Sequence, residues 1–416
     1  MQSMANAVAS TADMPADTPA DMPKRERADL VRPRMPKTPI AGQPRLARAL
    51  PRTKATQNGL HKSKTGERRP MQMPNIRNTA ALLAFAAATM GLSMEASAQA
   101  TLAQVKARGS LNCQVGLPTP GFYALASDGT WSGMDVDMCR GVAAAIFDDP
   151  KKVQYQSVTS AVRFTSLANG ESDMLSRTTT WTAVRDTQLG LEFAGVNFYD
   201  GQGFVVPKSS NIKSAKELNG ATVCVLTGTT TELNLADYFR ANNMTFKPVT
   251  NENVNVLVET YLGGGCDAYT NDKSGLAARR SAFPKPDEHI ILPETISKEP
   301  LGPVVRHGDN NWGDIVRWVL FGMIEAEELG VTSANVTEML KSSNPNIKRL
   351  LGVEGNVGEG MGLPKDFMVR VLKHVGNYAE VYERHVGAKT PVNIPRDGSL
   401  NALWTKGGIL YPMPFR

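Results

Sequence analysis

ATVCVLTGTTTELNLADYFRANN, residues 221–243, decides how the chain folds. ATVCVL reads as a strand and TTTELNLADYFRANN as a helix, with a glycine turn between them. Thr229 and Glu232 fit the S/T-x-x-E capping box that starts a helix. Gly228 lets the backbone approach a ligand closely. The helix start offers free N–H groups and the positive end of the dipole, so Gly228, Thr229 and Thr230 are candidates to hold a carboxylate. The same pattern also reads as a plain helix cap. It is not a P-loop, because the lysine-serine/threonine ending is missing.

The unit continues with TFKPV as a strand, VNVLVETYLGGG as a helix stopped by glycine, and CDAYTND (266–272) as a strand running into a loop. Upstream the same grammar has already run once. LNCQVG (111–116) is a strand, and GMDVDMCRGVAAAIF a helix with Val136, Cys139, Val142 and Ile146 on one face and Ser132 as its start signal. KVQYQSV (152–158) is a strand, AVRFTSLANG a short helix ending at Asn169-Gly170, and SDMLS (172–176) a third strand. Two successive βαβαβ units predict an α/β chain of two lobes, each with a mainly parallel sheet flanked by helices. FYDGQGFVV (198–206) and PETISKEPLGPVV (293–305) read as two crossings between the lobes. NWGDIVRWVLFGMIEAEELG (311–330) then returns to the first. The expected division is 99–200 with 301–416 for lobe 1 and 201–300 for lobe 2.

Ligands of such sheets bind beyond the carboxyl ends of the strands, which is where the charged motifs fall. Arg185 follows SDMLS, three residues after Thr182 and five after Thr180. A guanidinium matches a carboxylate bidentately, and threonine hydroxyls can donate to the same oxygens. A capping threonine beside a surface arginine is the plainer reading of the same residues. Asp272 could meet a cationic group or simply organise its loop. Arg185 and Asp272 in opposite lobes would together select a zwitterion.

The 416 residues carry a formal charge of +6, but unevenly. Residues 1–70 hold 14 Lys/Arg against 6 Asp/Glu, while residues 101–416 hold 31 against 33. The basic pI therefore argues for no nucleic-acid partner. Residues 71–98 read as a secretory signal peptide: Arg77 in a short n-region, an apolar run from Ala80 to about Met94, and Ala96-Ser97-Ala98 as the cleavage site. The run is too short to span a membrane. Residues 1–70 have a disordered composition, and Met71 is the expected start, with the preceding segment a translation-start artefact.

Export makes Cys113, Cys139, Cys224 and Cys266 informative, since an oxidising compartment favours pairing. Three pairings are open, as is a set of buried free thiols. A bridge between lobes would staple them together, so closing lobes need Cys113 with Cys139 and Cys224 with Cys266. The histidines after residue 100 have no metal-ligand spacing, and no G-x-S-x-G or H-E-x-x-H motif occurs. No metal, cofactor or catalytic residue is implied.

GMDVDMCRGVAAAIF, RFTSLANGESDMLSRTTTWTAVRD, YDGQGFVV, GATVCVLTGTTTELNLADYFRANNM, ISKEPLGPVVRHGD and ALWTKGGILY (402–411) closely resemble the general L-amino-acid-binding periplasmic proteins of ABC transporters, within solute-binding protein family 3. The resemblance runs from about residue 101 to the C-terminus. It implies the two-lobed type II periplasmic-binding fold, hinged by two crossover strands and closing on one L-amino acid. It also implies a Gram-negative periplasm, ABC permease membrane subunits as partners, and a monomer. By position Arg185 looks like the α-carboxylate clamp, with Thr180 and Thr182 beside it and amides from Thr229 and Thr230; Asp272 looks like the α-ammonium partner. Arg177 would face the ligand's side chain, suiting acidic or amide substrates. Phe122, with Tyr123 and Trp131, is the candidate for the aromatic wall. The same fold also hosts periplasmic enzymes such as cyclohexadienyl dehydratase, which need an acid or base in the cleft, and membrane-tethered sensor domains.

Overall fold

Strand β1 (Leu111–Val115) is buried along nearly its whole length, as a central strand covered on both faces must be. The computed structural model describes residues 100–416; the readings of 1–70 and of the signal peptide at 71–98 lie outside the described residues. After β1 a short hairpin, β2 (Ala124–Leu125) with β3 (Trp131–Ser132), leads into the helix Met134–Phe147. Then come β4 (Val153–Ser157), the helix Arg163–Ala168, β5 (Met174–Leu175), the helix Ala183–Gln188 and β6 (Leu191–Phe193). β7 (Phe198–Asp200) crosses to the second lobe. There β8 (Gln202–Pro207), β9 (Thr222–Leu226), the helix Thr230–Ala241, β10 (Lys247–Asn251), the helix Val254–Leu262, β11 (Ala268–Asp272), the helix Lys273–Arg280 and β12 (His289–Ile291) follow. β13 (Glu299–Leu301) crosses back, and β14 (Val304–Arg306) rejoins the first sheet.

Two five-stranded sheets result, ordered β4-β1-β5-β14-β6 and β10-β9-β11-β8-β12. In each, the predicted βαβαβ unit supplies the two parallel pairings. The strands contributed by the crossings add two antiparallel ones, so each sheet is mixed rather than mainly parallel. The reason is connectivity: a strand that enters from the other lobe arrives without a crossover helix and runs the opposite way. β7 and β13 pair antiparallel as a two-stranded hinge.

Period-two alternation places the cores. In the second sheet Phe204, Val206, Val223 and Val225 pack on one face, while Val205, Cys224, Leu226 and Tyr269 pack on the other. In the first lobe Val136, Val142 and Ile146 of the helix Met134–Phe147 pack with the helix Asn310–Glu328 and with Val371, Tyr378 and Tyr382 from the C-terminal segment.

The predicted start signal at Ser132 is corrected. Ser132 ends β3, and Gly133 caps the helix without a side-chain bond. The first amides, of Met134 and Asp135, donate instead to the carbonyls of Gly121 and Phe122. Gly133 sits at φ 138, where a Cβ would lie 2.2 Å from the Phe122 carbonyl, so only glycine allows this close approach. The helix start thereby fixes the Phe122 loop.

The four cysteines form Cys113–Cys139, joining β1 to its following helix, and Cys224–Cys266, joining β9 to the approach to β11. Each bridge stays with its own sheet. Bridges closing 26 and 42 residues of chain restrict the unfolded state by roughly 3–4 kcal/mol each. Full reduction should therefore lower the melting temperature strongly, and an unchanged melting curve with all thiols free would refute this.

Candidate functional site

The loop after β5 is shaped by one buried carboxylate. Asp135 accepts from Ser176 Oγ at 2.8 Å, from the Thr178 amide at 2.9 Å and from Asn197 Nδ2 at 3.5 Å. Burial pushes its pKa up to about 6, against the pull of these donors. Thr178 is held at φ 44, a left-handed conformation that costs a threonine strain and persists because Asp135 grips its amide. The strained turn sends Arg177 to one side, where it donates to Ser160 Oγ at 3.1 Å, and Thr180 to the other.

Arg185 lies on the short helix that follows. Thr182 is its N-cap, and the Thr182 hydroxyl accepts from the Arg185 amide at 3.3 Å. The guanidinium donates to the Thr180 carbonyl at 2.9 Å and stacks 5.1 Å from the Phe164 ring. Burial lowers its pKa to about 10, an effect countered by Glu299 and Asp272. Sequence reasoning missed Arg163, which is 2% exposed. Arg163 stacks on Phe164 and bonds the carbonyls of Ser160 and, from the other lobe, Gly228. Burial, then Arg177 and Arg185, hold its pKa well below the ordinary value.

The second lobe presents the start of the helix Thr230–Ala241. Thr229 caps it by accepting from the Glu232 amide at 3.2 Å, and the Glu232 carboxylate accepts from the Gly228 amide at 2.9 Å. The N-cap is real, but the box does not close on Thr229: the Glu232 carboxylate takes the amide one residue earlier and so consumes the Gly228 N–H expected to reach a ligand. Gly228 stands instead where a side chain would press on Ala161 of the facing lobe, at φ 76. Thr229, Thr230 and Thr231 line the cleft.

Asp272 ends β11 at 8% exposed, with no bond from its side chain to the helix it precedes. That capping falls to Asp200, whose carboxylate accepts from the Ser274 and Gly201 amides. Asp272 is therefore not the organiser of its loop. Its pKa is pushed well above the usual carboxylate range by burial and by Asp200 and Glu299, against Arg185 and Arg163. Burial likewise raises Asp200 to about 6.

Glu299 on β13, also missed from the sequence, gathers four donors: Thr180 Oγ1 at 2.6 Å, Thr230 Oγ1 at 2.9 Å, Ser297 Oγ at 2.6 Å and Asn234 Nδ2 at 2.7 Å. Of the threonines expected around Arg185, Thr180 lines the cavity with it and Thr182 does not. The Thr180 and Thr230 hydroxyls satisfy a buried carboxylate that joins the lobes, and the Thr182 hydroxyl caps a helix away from the cavity lining.

Arg177, Arg185, Arg163, Asp272, Phe122 and Tyr123 line one cavity. Trp131 does not; it packs on Tyr155. The Tyr123 hydroxyl meets Thr178 Oγ1 at 3.2 Å, and Arg279 bridges to Thr119 Oγ1 at 2.5 Å. Among the described residues, buried side-chain atoms without a partner include Arg163 Nε, Arg177 Nε and Asp272 Oδ1. Spare guanidinium donors and a spare carboxylate oxygen thus belong to residues that line the same cavity.

The profile of bacterial extracellular solute-binding proteins, family 3, matches residues 112–335. The chain belongs to this family. Among its relatives, this family 3 protein is 51% identical over 343 residues to the general L-amino acid-binding periplasmic protein AapJ of Rhizobium johnstonii, covering 82% of this chain and all of that one. It is 53% identical over 322 residues to the glutamate/glutamine/aspartate/asparagine-binding protein BztA of Rhodobacter capsulatus, covering 77% and 95%. A solved ABC transporter periplasmic binding protein from Brucella ovis, with glutathione bound, is 52% identical with a TM-score of 0.74, over 76% of this solute-binding protein and 99% of that chain. The signal for Arg163 was present in AVRFTSLANG, an arginine in the first turn of an otherwise apolar and small-residue helix. Glu299 had none, because its role depends on donors up to 119 residues away.

Proposed function

We propose that the protein is the periplasmic substrate-binding component of an ABC importer for L-amino acids, of broad specificity. It closes two lobes on one ligand and delivers it to the membrane permease. The lobes would be residues 99–200 with 301–416, and 201–300, turning on β7 and β13. The carrying observation is the opposition of Arg185 and Asp272 across one cavity, each buried, with Asp272 Oδ1 unpartnered. Arg185 holds the α-carboxylate, assisted by the helix start at Thr229–Thr231, and Asp272 holds the α-ammonium. Those contacts are common to every L-amino acid, which supports breadth.

The side-chain end is lined by Arg163, Arg177 and Phe122, with Tyr123 and Thr178 hydrogen-bonded beside them. Two further guanidiniums favour acidic and amide side chains, in keeping with the name of the Rhodobacter relative. Binding, rather than chemistry, is the reading the relatives support. A monomer working in the periplasm suits a shuttle between solvent and permease.

Isothermal titration calorimetry tests this on protein unfolded and refolded to strip any co-purified ligand. The panel is glutamate, glutamine, aspartate, leucine, histidine and arginine. Saturable one-to-one binding of several, tightest for the acidic and amide members and without turnover, is the expected result. Silence across the panel, or depletion of a ligand with time, would overturn it.

A further inference from the structure

The family profile ends at residue 335, yet the residues beyond it reach the hinge. In the β7–β13 pair Tyr199 lies opposite Pro300, whose carbonyl accepts instead from the Trp181 amide. At such a pair both backbones turn their polar groups outward, so the free edge of Tyr199 needs a partner. Asn401 supplies it: its Oδ1 accepts from the Tyr199 amide at 2.7 Å, and its Nδ2 donates to the Tyr199 carbonyl at 2.9 Å. A buried side-chain amide thus stands in for a third strand.

Asn401 is itself anchored. Arg396 donates through Nε to the Asn401 carbonyl at 2.7 Å, and its two terminal nitrogens grip both oxygens of Glu327 at 2.8 Å each. Glu327 belongs to the helix Asn310–Glu328, in the core of the first lobe. Nearby, the Tyr378 hydroxyl donates to the Asn197 carbonyl at 2.8 Å, and the Tyr382 ring stacks on Phe198, 5.9 Å between centroids and 4° from parallel. β7 is therefore bound to the first lobe up to Tyr199. At the next residue the grip changes lobes, because Asp200 accepts from Ser274, two residues from Asp272. Gly201 is pressed by the second crossing, a Cβ there falling 2.2 Å from Thr295 Cγ2.

We propose that residues 336–416 splint the first hinge crossing and that Asn401 is a positioning residue for ligand closure, confining the bend to Asp200–Gly201. The proposal rests on the reading of two lobes closing on a ligand. A bend held to one peptide next to Asp200 sets where Asp272 arrives opposite Arg185. A looser crossing spreads the closed state over several arrangements, of which the ligand fits one.

The test is Asn401→Ala in the full-length protein, read by amide hydrogen exchange over residues 197–201 and by the Kd for L-glutamate. Faster exchange without ligand and a Kd weakened about three- to tenfold are expected, less than the full worth of two hydrogen bonds because neither touches the ligand. Tyr378→Phe removes a single hydroxyl and should shift both in the same direction by less. It also decides the matter should Asn401→Ala fail to fold. Variants that melt earlier but keep wild-type exchange at 197–201 and a wild-type Kd would reduce the segment to packing and overturn the proposal. If wild type itself ignores L-glutamate, the amino-acid reading fails instead, and exchange at 197–201 still decides the splint.

Discussion

Arg185→Ala should weaken binding of L-glutamate and L-glutamine by at least about 2–5 kcal/mol, the cost typical of removing one partner from a buried charge pair. That corresponds to a Kd raised roughly 30-fold to several thousand-fold. The argument is geometric. Thr182 fixes the helix that carries Arg185, the Thr180 carbonyl takes one guanidinium nitrogen, and the Phe164 ring holds the plane. The rest of the fork is aimed before the ligand arrives, so little rotamer entropy is lost on binding. Lysine should not rescue, because a point charge cannot supply two parallel donors. The empty protein should keep most of its thermal stability, since the repulsion relieved at Arg163 and Arg177 offsets the attraction lost to Glu299 and Asp272. Calorimetry and a melting curve together check this, and unchanged affinity would remove Arg185 from the site.

Asp272→Asn should cost affinity on the same scale and should also abolish a proton. In the empty cleft Asp272 has a pKa raised by burial, Asp200 and Glu299. A ligand ammonium favours the charged form and brings that pKa down. Ligand binding must then expel a proton wherever the empty site is protonated, and affinity falls as pH falls. Stability of the ligand-free protein runs the other way. A carboxylate whose folded pKa is raised contributes stability below its unfolded value and loses it as pH rises through the folded one. For Asp200 that window runs from about 3.8 to about 6. Titrations over a range of pH, each in two buffers of different ionisation enthalpy, measure the released proton directly. A binding heat independent of buffer in wild type, or equally buffer-dependent in Asp272→Asn, would refute the assignment.

Secondary structure, the repeat of the βαβαβ unit and the ends of the strands where ligands bind were all legible locally. Strand and helix periodicities, glycine stops and the Thr229 N-cap are short-range signals, and they held. The pairing of cysteines followed as well, because closing lobes leave only one arrangement free to move. The charged residues of the cleft were legible in kind, as guanidiniums and a carboxylate placed at strand ends.

Assignment of the individual hydrogen bonds was not. A threonine hydroxyl has one proton to give and lone pairs to accept with, and whether it meets a ligand, a helix amide or a buried carboxylate depends on what the fold brings within about 3 Å. Thr182 accepts from its helix amide and Thr180 donates to Glu299, while the Gly228 amide donates to Glu232. Arg163 and Glu299 went unread for the same reason, since each has a partner across the lobe boundary. By itself the sequence determined that two α/β lobes would meet over arginines and an aspartate. Only the tertiary structure decided which donors remain for the ligand, because burial forces every other polar group to be satisfied first.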